Sequence, residues 1–190
     1  MKLNFTLSTM TVVLVLALPA AHAGDWTGNV SGFLGQKMLD DKDWPQHDDH
    51  GSIGVLFDIK NKNWPVSIAL DVFASGDEDD HGSVKYEGYT AETHLGLRKI
   101  CEIPGSSIKP YIGGGVAFVY AEETDKNGGV THSQEDKGTG AWFGGGMYVG
   151  VTPHLNVGLD VRYSDAKVTL FSEDRQAGGL NAGVSVGYHW

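Results

Sequence analysis

Over residues 178–190 apolar and polar positions alternate with period two. Leu180, Ala182, Val184, Val186, Tyr188 and Trp190 fall on one side; Asn181, Gly183, Ser185, Gly187 and His189 fall on the other. Such alternation marks a strand with one apolar and one polar face. This most hydrophobic strand comes last and ends on an aromatic residue. Its unpaired edge would need covering, and a sheet closed on itself does that. The expectation is a barrel whose last strand pairs with its first and leaves no open edge.

The front of the chain points to secretion. Lys2 precedes an apolar run over residues 10–18, Pro19 breaks it, and Ala21-His22-Ala23 forms an A-x-A cleavage pattern. The run is shorter than the roughly 20 apolar residues a spanning helix needs. Residues 1–23 are therefore read as a signal peptide and residues 24–190 as the mature domain. Acidic residues outnumber basic ones by 24 to 14, which argues against a nucleic-acid partner. No later segment is apolar enough for a membrane helix, and the mean hydropathy is slightly negative. A barrel reconciles that value with a membrane, because only alternate residues face lipid. The single Cys101 excludes an intramolecular disulfide and is read as an inert thiol near a strand end.

Alternation recurs in eight runs: 26–38, 51–60, 64–73, 86–100, 111–120, 141–151, 155–164 and 178–190. Phe33, on the polar side, makes the first run the least regular. A patch at 168–171 is read as an extension of the seventh. The connections alternate between short (61–63, 101–107, 152–154) and long, polar and acidic (40–50, 75–83, 122–138, 165–177). That is the layout of an outer-membrane barrel, with short periplasmic turns, longer outer loops and both termini inside. Trp26, Trp64, Tyr188 and Trp190 are expected at the periplasmic rim. Tyr89, Phe118, Tyr120, Trp142 and Tyr163 are expected at the outer rim, as two aromatic girdles.

The side of the apolar face separates a membrane barrel from a soluble, lipocalin-like periplasmic binder. The polar faces carry Gly113, Gly115, Gly144, Gly146, Gly150, Gly183 and Gly187. Small residues suit the crowded interior of a narrow barrel. On a soluble outer surface they would only weaken the sheet. The polar face is thus read as the lumen. The segments Pro110-Tyr111-Ile112-Gly113-Gly114-Gly115, residues 155–163, and Gly183-Val184-Ser185-Val186-Gly187-Tyr188-His189-Trp190 carry a family resemblance. The mature chain resembles the small eight-stranded outer-membrane barrels of the OmpA-domain, OmpX and opacity-porin type. The resemblance implies an all-β, up-and-down antiparallel transmembrane barrel in the outer membrane of a Gram-negative cell. It also implies that Tyr188 and Trp190 belong to a terminal signal read by the barrel-assembly machinery. The family more often ends on Phe.

Function is less legible, because one fold hosts many activities. Lys37, Asp58, Asp71, Glu92, His94, Arg98, Asp160 and Arg162 fall on inward positions with both signs represented. They are expected to form a polar network that fills the lumen; the alternative is a narrow pore for ions or small solutes. His47, Asp49, His50, Asp77, Asp79 and His81 lie in acid–histidine clusters. Carboxylates there suit divalent cations, including bridges to lipopolysaccharide phosphates, and His adds affinity for transition metals. The bland alternative is a solvated acidic loop. The expected partners are outer-membrane lipid and lipopolysaccharide. A lipid-modifying enzyme is a further alternative, but no Ser, His and acid visibly converge; His132-Ser133 and Glu135 are too close in sequence to form a triad. No motif calls for a cofactor. The leading expectation is a structural or surface-interaction protein acting through acidic outer loops.

Overall fold

The computed structural model describes residues 24–40, 44, 49–81, 84–127, 130–170 and 173–190, with side chains undescribed at 78–87 and 125–132. The predicted signal segment and His47 lie outside the described residues. The strands are β1 (Trp26–Met38), β2 (Asp49–Asn61), β3 (Ser67–His81), β4 (Val84–Ile100), β5 (Ile108–Asn127), β6 (Val130–Gly150), β7 (Leu155–Asp165), β8 (Lys167–Leu170), β9 (Glu173–Gln176) and β10 (Gly179–His189). Eight of them close a barrel in the order β1-β10-β7-β6-β5-β4-β3-β2, and β8 and β9 form a separate hairpin. All ladders are antiparallel. The closing pair sets Leu34 opposite Val184 and Val30 opposite Tyr188.

Side-chain parity follows the alternation read from the sequence. Leu34, Ile53, Leu95, Leu97, Ile112, Phe143, Leu159, Val161, Val184 and Val186 all lie exposed on the outside. The soluble-binder alternative needs these residues inside, so the exposed belt excludes it. Glycine makes room within. A Cβ at Gly144 would stand 2.6 Å from the Arg162 Cβ, and one at Gly146 would stand 2.7 Å from the Tyr111 hydroxyl. Phe33 is also explained. It points inward and meets Phe73 edge-on, 5.3 Å between ring centroids.

Three expectations are corrected. The segments 75–83 and 122–138 are largely strand: β3 pairs with β4 out to His81–Val84, and β5 with β6 out to Asn127–Val130. Polar residues on both faces do not oppose a strand once it leaves the membrane, because both faces are then solvated. Trp142 belongs to no outer girdle; it is 3% exposed and inside the barrel. The 168–171 patch does not continue the seventh strand. Ala166 breaks the chain, and β8 turns to pair with β9. There Val168 and Leu170 join Leu39, Trp44, Ala117, Val119, Ala121, Trp142, Ala166 and Ala177 in a buried apolar cluster. Trp44, in a stretch too charged for a core by composition, is 1% exposed. Its indole N–H donates to the Gln176 carbonyl at 2.8 Å.

Candidate functional site

All eight predicted lumen residues lie inside, none more than 2% exposed. Register brings them to similar heights from different strands: Asp71 on β3 faces His94 on β4, and Arg162 on β7 faces Asn181 on β10.

They form two groups. In the first, Lys37 Nζ stands 2.7 Å from Glu92 Oε1 and also donates to Thr90 Oγ1 and the Ala177 carbonyl. The other oxygen, Glu92 Oε2, accepts from Ser164 Oγ at 2.7 Å and stands 2.8 Å from His94 Nε2. The imidazole lies flat on Trp142, with ring planes 9° apart. In the second group, Arg98 reaches Asp58 at 3.1 Å and Asp71 at 2.7 Å. Arg162 also reaches Asp71, at 2.7 Å, and grips Asp160 with two nitrogens at 2.6 and 2.7 Å. Such bidentate contacts fix the guanidinium plane as well as its position. Tyr111 donates to Asp160, and Tyr148 accepts from Arg98. Aromatic faces complete the enclosure: Arg162 lies 4.5 Å from the Phe73 ring centre and Arg98 lies 5.0 Å from that of Tyr111.

The side chains of Phe73, Thr90, Tyr111, Trp142, Tyr148, Ser164 and Asn181 complete these groups, although none of them was expected in the lumen network. The available signal was parity, since each occupies the same inward phase as the charges.

The loop candidates fare differently. Asp49 and His50 begin β2, where Asp49 is exposed. His50 is buried, with its ring edge-on to Trp44 at 6.3 Å. Asp77, Asp79 and His81 lie on β3 rather than on a loop. Among the described residues, no three acid, His or Cys side chains gather with metal-ligand geometry. Ser133, weighed as a nucleophile, donates to Glu122 Oε1 and accepts from Thr124 Oγ1, both at 3.0 Å. Tyr188 and Trp190 stack on the outside, 6.4 Å between ring centroids, at the end where Trp26 meets Trp64.

A closed barrel with an apolar exterior, aromatic residues at the rim and charges sealed inside defines an integral membrane barrel. The chain belongs to the family of outer membrane protein beta-barrel domains, whose model matches residues 8–189. It is accordingly a bacterial outer-membrane protein.

Solved structures of similar fold include Ail, the attachment invasion locus protein of Yersinia pestis, in complex with the heparin analogue sucrose octasulfate. That match has a TM-score of 0.63 and 10% identity, covering 87% of this chain and 99% of Ail. A major outer membrane protein from Thermus thermophilus matches with a TM-score of 0.61 and 12% identity, over 89% of this chain and 100% of that one. OprG from Pseudomonas aeruginosa matches with a TM-score of 0.58 and 14% identity, over 87% and 96%. At these identities the likeness is one of fold. No curated protein matches the chain.

Proposed function

We propose that this barrel is a closed, non-catalytic scaffold that presents its outer hairpins at the cell surface and conducts no ions. The observation behind this reading is the chain Asp58–Arg98–Asp71–Arg162–Asp160, five buried charges linked in series from four strands. Opening a path would pull apart buried charges that now satisfy one another, which is costly. Planar-bilayer recording tests it: the expected trace is flat, and steady unitary conductance overturns the closed reading.

The outer hairpins carry Glu122, Glu123, Glu135, Asp136, Glu173 and Asp174. That balance favours cationic surface partners, or divalent cations bridging to lipopolysaccharide phosphates. It disfavours polyanions such as the ligand in the Ail structure. Tyr188 and Trp190 would carry the signal read by the barrel-assembly machinery.

A further inference from the structure

Below the ionic groups the lumen widens into a cavity of about 410 Å³ at the end that carries both termini. Its wall brings together Lys60, Lys109 and His189, with Asp58, Asn29 and Asn156 also lining it. In a chain with ten more acids than bases, this concentration of basic groups is unusual. The acids on the wall do little to cancel it. Asp58 is engaged by Arg98 at 3.1 Å, and Glu102 is a largely exposed side chain 4.0 Å from Lys109.

The amides add a second, independent observation. Asn156 is 4% exposed, and its Nδ2 donates to Asn29 Oδ1 at 2.7 Å. Its Oδ1 has no donor among the described residues. A buried acceptor without a donor is costly and calls for one. A ligand with a hydroxyl would supply it, while its anionic group met the basic side chains.

We propose that this periplasmic vestibule binds a small hydroxylated anion, a carboxylate or phosphate bearing at least one hydroxyl. The anionic group pairs with Lys60 and Lys109, and the hydroxyl donates to Asn156 Oδ1. The volume lies toward the small end of ligand cavities, roughly 300–1,000 Å³, which suits one sugar-sized body. The proposal rests on the closed-lumen reading, since the ionic groups form the floor of the vestibule. Two sources share the chemistry: a free sugar acid, and the glycerol-phosphate headgroup of phosphatidylglycerol.

The test uses the labelled barrel refolded in zwitterionic micelles, with gluconate as probe and NMR of the Asn29 side-chain amide, on the same cavity wall, as readout. Saturable shifts are expected. Lys60→Gln with Lys109→Gln should weaken binding at least about tenfold, the scale of lost charge-assisted contacts. Asn156→Ala should weaken gluconate binding while leaving succinate, which has no hydroxyl, unchanged. Both sets of variants must keep the folded gel mobility. Saturation by dihexanoyl phosphatidylglycerol in place of gluconate assigns the site to lipid. No saturable shift with either probe overturns the proposal, as does glucose binding as tightly as gluconate. Conductance measured on the same preparation separates the two readings: a conducting barrel that still binds gluconate overturns only the closed lumen, and a silent barrel that does not bind overturns only the vestibule.

Discussion

Arg162 shows how a buried charge can be both costly and indispensable. Its guanidinium spans Asp71 and Asp160 and lies over two aromatic rings. Removing it leaves Asp160 with Tyr111 and Asp71 with Arg98 and the Phe57 amide. Stranding one member of a buried pair costs about 3–5 kcal/mol, far more than the net worth of the intact pair. Arg162→Met should therefore lower stability by about that amount, measured as the urea midpoint of the folded gel band. Adding Asp160→Asn removes the stranded charge and should restore part of the loss. If the double variant loses the sum of what Arg162→Met and Asp160→Asn lose singly, the two side chains are not energetically coupled. Period-two parity alone placed all eight charges inside. Their pairing was not legible, because partners such as Lys37 and Glu92 lie on strands that are far apart in sequence and meet only across the closed lumen. Trp142 was misplaced for a related reason: an aromatic near the rim can face either way, and only the space left by its glycine neighbours admits it.

At the scale of elements, the outer structure rests on how β8 and β9 dock. The Thr169 amide on β8 donates to Asp136 Oδ2 on β6 at 2.6 Å. Backbone N–H groups of Thr169 and Lys137 hold the Asp136 carboxyl below its usual range. A carboxyl depressed in the folded state stabilises above its unfolded value, near about 4, and that contribution is lost as pH falls further. Amide exchange at Thr169 should therefore accelerate, relative to its intrinsic rate, as pH drops below about 4. Asp136→Asn should remove that pH dependence; an unchanged profile would sink the assignment. Leu170 anchors the same hairpin from its apolar side and is fully buried. Leu170→Ala should cost the hairpin about 2–5 kcal/mol, read as faster exchange over residues 166–177 with the barrel's gel shift intact. These elements were hard to read from sequence. Acidic stretches such as 122–138 look like loops because neither face is apolar, yet their backbones continue ladders that start in the membrane.

For the whole molecule, closure predicts that unheated protein migrates apart from boiled protein on a detergent gel, because the closed ladder resists detergent until heat opens it. A single mobility would contradict the barrel. Sidedness is testable too, both termini being expected on the periplasmic side. Cys101 is exposed on the β4–β5 turn, at the end with both termini, and Lys137 is exposed on the outer part of β6. On intact cells a membrane-impermeant maleimide should leave Cys101 unlabelled until the outer membrane is permeabilised. Lys137→Cys in a Cys101→Ser background should label at once. The reverse pattern would invert the barrel.

Period-two alternation determined the eight strands of the barrel and the face each turns to lipid, because a closed sheet that satisfies its backbone bonds between strands leaves only side-chain parity free. The same parity named the charged interior. Tertiary structure alone decided which carboxylate meets which cation, how far the outer strands run, and how Trp44, Val168 and Leu170 build a second small core. It also decided that a cavity lined by Lys60 and Lys109 opens at the end that carries both termini. Each of these depends on closing the sheet, which sets side by side residues that are distant in the chain and carry no local signal of one another.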